Sequence, residues 1–247
     1  MGRLVVVGLC FLSYFVFADD ASFPWLSSLD AGEGVRASGS LLVGLPFGLH
    51  ALEPEEPNSS ELFVGVHGWS SEGYEWVYPL QTINDADRRM FFFNWDTSDD
   101  RCQLEVVEEI RASIQNELDA HPGYTSVSVI GHSLGGVVVV QLAEAWDAEL
   151  PLTIHTVAAP LSALTGNVNE ECPTQLPQSQ REHVRFIQWR TRFELDNAFN
   201  RMDYNPMVVE IPNSIVVELP ETYRERRLGH NWSISFVAEQ IADDGSE

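Results

Sequence analysis

Between Ser126 and Trp146 the chain carries an apolar run with Val127, Val129 and Ile130, then Gly131-His132-Ser133-Leu134-Gly135-Gly136, then a second apolar run from Val137 onward. The first run reads as a strand and the second as a helix, so a G-x-S-x-G sequence stands at a strand-to-helix turn. Such a turn is sharp, and it lifts one serine off the edge of a sheet. Glycine suits positions 131 and 135 because backbone must approach backbone there, and a side chain would collide. Ser133 would sit at the N-terminus of the following helix, where free N–H groups and the helix dipole favour developing negative charge.

The flanking sequence supplies the sheet that such a turn requires. Residues 62–66 form a short apolar run bounded by turn signals, as a strand buried on both faces should. That run ends in His67-Gly68-Trp69-Ser70. A helix is expected over about 73–84, a strand over 90–95 and an acidic loop over 96–100. Helical spacing of Val106, Val107, Ile110, Ile114 and Leu118 marks residues 102–120, stopped by Pro122-Gly123. Further strands are predicted at 152–158, 184–189 and 215–219, with a closing helix over 231–242. Ahead of them, 35–38 and 40–44 read as two short leading strands separated by a glycine turn. Alternating strands and helices predict an α/β fold, with a mostly parallel central sheet and helices on both faces. The site is then expected beyond the carboxyl ends of the strands. Residues 161–180 form a loop longer than most connections, either a small lid or a surface excursion, and too short for a large cap domain.

At 247 residues and 44% hydrophobic content, the chain can bury one good-sized core. Residues 1–18 look like a signal peptide: Arg3, an apolar run over 4–17, and small residues before Asp19. The run falls short of the roughly 20 residues needed to span a bilayer, so no stable membrane span is expected. A single domain over 19–247 and a secreted or periplasmic location follow. Of three cysteines, Cys102 and Cys172 would remain, and in an oxidising compartment they suggest one disulfide worth about 4 kcal/mol in the chain-entropy model. The 14 basic residues, all arginine, face 37 acidic ones, for a net charge of −23. Such a surface repels nucleic acid and anionic membrane, and both are set aside as partners. Oligomeric state is not legible.

A serine hydroxyl is a poor nucleophile unless a base takes its proton, and the base needs a carboxylate to hold its tautomer. Gly131-His132-Ser133-Leu134-Gly135-Gly136, with His67-Gly68-Trp69 at an earlier strand end, resembles the α/β-hydrolase superfamily, particularly its lipase and esterase branch. The likeness runs from about residue 62 to the end. It implies the chain order serine, acid, histidine. Of seven histidines, His50 and His121 precede the serine in expected loops, and His67 belongs to a strand end. His132 adjoins the serine, His155 lies within a strand, and His183 comes before any acid could intervene. His230, after the last strand, stands where the superfamily places its base. The acid is expected after the strand at 184–189, from Glu194, Asp196 or Asp203; Asp196 most resembles the acid-bearing turn.

The resemblance also implies an oxyanion hole formed by the backbone N–H groups of Leu134 and Trp69, with His67 orienting the loop. A triple-glycine version of that loop is lacking. Trp69, Tyr74 and Trp76 either line an acyl pocket or pack as core. The expected activity is hydrolysis of small-molecule or lipid carboxylic esters by Ser133, Asp196 and His230, with no metal or organic cofactor needed. Thioester, amide and acyl-transfer chemistry would use the same residues, and a non-catalytic binding protein on the same fold is the alternative from another class.

Overall fold

The computed structural model describes residues 25–53, 59–97, 102–165 and 175–244. The expected signal peptide and Cys172 lie outside them, as do 166–174 of the long loop. Elements follow in the order α1 (Val35–Val43), β1 (Gly48–Ala51), β2 (Glu61–Val66), α2 (Tyr74–Ile83), β3 (Arg88–Asn94), α3 (Gln103–Ala120) and β4 (Ser126–His132). Then come α4 (Leu134–Val139), α5 (Leu142–Ala145), β5 (Leu152–Val157), β6 (Val184–Arg190), β7 (Ile215–Glu218), β8 (Thr222–Tyr223), β9 (Arg226–Arg227) and α6 (Ser233–Asp244).

Seven strands make one sheet in the order β1-β3-β2-β4-β5-β6-β7, with β8 and β9 as a separate hairpin. Every pairing within the large sheet is parallel except that of β1 with β3. Alternation along the strands divides the core into two layers, because successive side chains point to opposite faces. In β3, Phe91 and Phe93 pack with Val106, Ile110 and Ile114 of α3, and with Val137 to Val139 of α4. Met90 and Phe92 face the other way, onto Trp76, Val77 and Leu80 of α2 and Ile234 and Val237 of α6. Both faces are thus covered. No large cap domain is present among the described residues. No described helix is long and apolar enough to cross a membrane.

Three local expectations are corrected, and one element was not foreseen. Residues 35–43 are a helix, not two leading strands. Ser38, Gly39 and Leu42 form its buried side, a helical spacing that the short apolar runs obscured. Gly39 is there for close approach: a Cβ on it would lie 2.1 Å from the Tyr74 nitrogen of α2. His50 lies in β1 rather than in a loop. The helix after Ser133 is broken around Gln141 into α4 and α5. The hairpin of β8 and β9, between the last sheet strand and His230, carries too short a pattern to be read from sequence.

Candidate functional site

Ser133 has φ 55° and ψ −122°, a conformation that a residue with a side chain adopts only when its surroundings over-determine it. Those surroundings are glycine contacts. A Cβ on Gly131 would lie 2.5 Å from the Gly135 carbonyl oxygen, and one on Gly135 would lie 2.3 Å from that of Val66. A Cβ on Gly68 would meet the Ser133 Cβ at 2.8 Å, so the loop after β2 is pressed directly against the turn. The Ser133 N–H donates to the Val157 carbonyl at 2.9 Å, tying the turn to β5.

The loop after β2 is oriented by His67. Its Nδ1–H donates to the Gly68 carbonyl at 3.0 Å, while Nε2 stands between Asn94 Oδ1 at 3.0 Å and the Trp95 N–H at 3.2 Å. Burial lowers the His67 pKa, which suits a neutral ring in that role. In a trans peptide the carbonyl and the next N–H point in opposite directions. Holding the Gly68 carbonyl toward His67 therefore turns the Trp69 N–H the other way. Among the described residues neither the Trp69 nor the Leu134 N–H has an acceptor, whereas the Ser70 N–H donates to Thr97 Oγ1 at 3.3 Å.

The acid and the histidine meet across the far strands. Asp196, wholly buried after β6, lies with Oδ2 3.0 Å from His230 Nδ1. The Thr191 hydroxyl donates to the same oxygen at 2.5 Å, and the Ala198 N–H to Oδ1 at 2.9 Å. Burial pushes the Asp196 carboxyl up, but the bond and charge of His230, then Thr191 and Ala198, outweigh it and hold the pKa below its ordinary value. Glu194 and Asp203, the other candidates, are exposed. His230 is wedged between the edge of Phe199, 5.0 Å away, and the His132 ring, 4.7 Å away. Ser133, His132, His230, Gly68 and Trp69 line one cavity of about 210 Å³.

No family model matches the chain, and no curated protein matches it in sequence. Solved structures do. Est1E from Butyrivibrio proteoclasticus, with ferulic acid bound, superposes with a TM-score of 0.55 at 14% identity, covering 80% of this chain and 94% of its own. A provisionally assigned thioesterase from Silicibacter superposes at 0.53 with 16% identity, covering 94% and 96%. A provisionally assigned α/β hydrolase from Agrobacterium tumefaciens gives 0.50 at 15% identity, covering 80% and 89%. The chain has the α/β-hydrolase fold.

Within this α/β-hydrolase fold, the structure places the three residues expected from sequence, Ser133, Asp196 and His230, at the same end of the sheet, with His67 and Gly68 beside them. Trp76 is wholly buried core and does not line a pocket, whereas Trp69 is 69% exposed and Tyr74 lines the cavity. His132, set aside as a base, secures the backbone of His230: its Nε2–H donates to the His230 carbonyl at 3.1 Å. Burial, then the repulsion of His230, lowers its pKa to about 3, so it stays neutral. Thr191 was not anticipated, nor was Glu75 of α2, which lines the cavity and is 7% exposed. Only the adjacency of Thr191 to the strand end could have flagged the first; nothing in the sequence flags the second. Cys102 is disulfide-bonded, and its expected partner Cys172 lies outside the described residues. No group of three or more metal-ligating side chains occurs among the described residues.

Proposed function

We propose that the protein is a serine hydrolase of carboxylic esters, with Ser133 as nucleophile, His230 as general base and Asp196 as the carboxylate that holds His230. The observation carrying this reading is the buried Asp196 carboxylate bonded to His230 Nδ1, with Nε2 left free for the cavity that also contains the strained Ser133. Ionised Asp196 fixes the proton on Nδ1, so Nε2 presents a lone pair.

In the proposed cycle Ser133 Oγ attacks the acyl carbon while its proton moves to His230 Nε2. The carbonyl oxygen becomes an oxyanion, and the acceptorless N–H groups of Trp69 and Leu134 receive it. Each such donor is worth about 3 kcal/mol in the transition state. Collapse breaks the bond to the alcohol oxygen, which leaves with the proton from Nε2. Water then gives a proton to His230 and its hydroxide equivalent to the acyl carbon, releasing the acid and restoring the Ser133 hydroxyl. The imidazolium formed in each half is stabilised by Asp196 at 3.0 Å.

A secreted or periplasmic location, with residues 1–18 removed, and a Cys102 to Cys172 disulfide fit this reading. A fluorophosphonate tests it, because only an activated serine displaces fluoride from phosphorus. Mass spectrometry should find the adduct on Ser133 of the folded protein and none after denaturation. Absence of the adduct, together with no Ser133-dependent hydrolysis of p-nitrophenyl acetate, refutes the proposal in favour of a non-catalytic binding protein.

A further inference from the structure

The wall of the cavity contributed by α2 is unusual for a site that accepts alkyl chains. Glu75, in the first turn of α2, is 7% exposed and yet lines the cavity with Ser133 and His230. Its Oε1 takes the Ser71 hydroxyl, and the Ser71 oxygen in turn accepts the Gly73 N–H at 3.1 Å. Its Oε2 is buried and has no partner. A buried carboxyl oxygen without a donor is costly, so a protein that retains one lacks a bond that something else supplies. The terminal torsion of glutamate is broad, so a modest rotation turns the carboxyl toward the cavity at little cost. Near neighbours do not fill the gap. Arg36 is engaged by Glu72 at 2.6 Å, and the Tyr74 hydroxyl, which accepts from the Asn231 amide at 2.9 Å, makes no bond to Glu75. Arg227, the cation on the other side of His230, donates to Asn197 at 2.7 Å.

We infer that Glu75 is a specificity-determining residue, whose carboxyl accepts a hydrogen bond from a hydroxyl group of the substrate, so that the site takes short hydroxylated esters in preference to alkyl esters. The inference rests on the esterase reading and narrows its substrate class. A hydroxyl satisfies the carboxyl, whereas a methylene in the same place leaves it desolvated and unpaired. The cavity, about 210 Å³, has Ser70, Ser71 and Asn231 in its wall beside Trp69 and Tyr74, and its described lining forms no apolar channel for a long chain. A site built to bond a substrate hydroxyl discriminates strongly against the analogue that lacks it.

The hydroxyl can belong to the acid or to the alcohol, and two ester pairs separate these sources. Methyl glycolate against methyl acetate tests the acyl side, and 2-hydroxyethyl acetate against ethyl acetate tests the alcohol side. One pair should show kcat/KM at least tenfold higher for the hydroxylated member, and in Glu75→Leu that ratio should fall toward one. Glu75→Gln, which keeps shape and an acceptor, should retain part of the ratio and guards against a folding defect in the leucine variant. Fluorophosphonate labelling of Ser133 is measured on all three proteins. Labelled proteins with equal ratios in wild type and Glu75→Leu, or a wild type without preference in either pair, overturn this inference alone. An unlabelled, inactive wild type overturns the esterase reading and this inference with it.

Discussion

Asp196 shows how much one side chain can be asked to do. Its carboxylate is wholly buried and survives as an anion because three donors surround it: His230, Thr191 and the Ala198 N–H. Replacing it with asparagine keeps the shape but removes the charge, and the amide no longer dictates the Nδ1–H tautomer. Asp196→Asn should lower kcat on p-nitrophenyl acetate by roughly three to four orders of magnitude, with KM changed far less. Steady-state kinetics with circular dichroism as a folding control checks this. A loss below tenfold would show that another acid serves His230. Type and spacing alone left Glu194 and Asp203 beside Asp196, and only the likeness of its turn to that of the superfamily singled Asp196 out. What separates them is burial beside His230, 34 residues away in sequence, and no local pattern encodes that. Ser133 was the opposite case. Its strained turn was legible because its own neighbours, Gly131 and Gly135, carry it.

At the scale of elements, the site depends on how closely two helices and a strand turn can approach one another. The loop from His67 to Ser71 that follows β2 and the start of α2 form one wall, and α1 clamps that wall through the contact of its Gly39 with Gly73 and Tyr74. Gly73 has φ 77°, and a Cβ on it would lie 2.1 Å from the Gly39 carbonyl oxygen. Gly39→Ala should therefore push the start of α2 away, taking Tyr74 and Glu75 with it. Expected is a loss of about 1–3 kcal/mol in urea denaturation, with hydrolytic activity reduced alongside. Gly123→Ala, where nothing lies within 4 Å, is the control and should change stability by less than about 0.5 kcal/mol. Equal stability of the two variants would mean that the α1 to α2 contact is not tight in solution. The same contact explains why residues 35–43 misread as strands. Leu41-Leu42-Val43 after Ser-Gly-Ser looks like a short strand, whereas the helix is chosen by packing against α2. Long periodic segments such as α3 needed no such help, since five apolar residues at helical spacing already define the buried face.

For the whole molecule, the buried histidines make stability depend on pH. His132 and His155 are enclosed by the sheet and its helices, and burial first, then neighbouring positive charge, lowers each pKa from 6.5 to about 3. The folded chain thus keeps both neutral while the unfolded chain protonates them below 6.5. The unfolded state then binds more protons, so stability falls as the medium is acidified from 6.5 toward 3 and is fully present above 6.5. Between pH 7 and 5 each histidine should cost about 2 kcal/mol. Asp196 acts in the same direction lower down: its depressed pKa contributes stability above its ordinary value of 3.8 that is lost as pH falls through the folded value. Denaturation measured at pH 7, 6 and 5 checks the histidine effect, and His155→Gln should flatten the slope between pH 6.5 and 5. An unchanged slope would mean that His155 is already protonated in the folded protein.

By itself the sequence determined what depends on near neighbours: the strained serine turn, the buried strands, the amphipathic α3 and the parallel α/β class. Each rests on residues within a few positions of one another, where sterics and periodicity act directly. Only the tertiary structure decided which carboxylate meets His230, that His132 secures its backbone, that Trp76 is core and that Glu75 faces the cavity. Those are contacts between distant segments. They are set by which strands lie side by side and how closely glycines let the backbones approach, and a one-dimensional pattern does not carry that information.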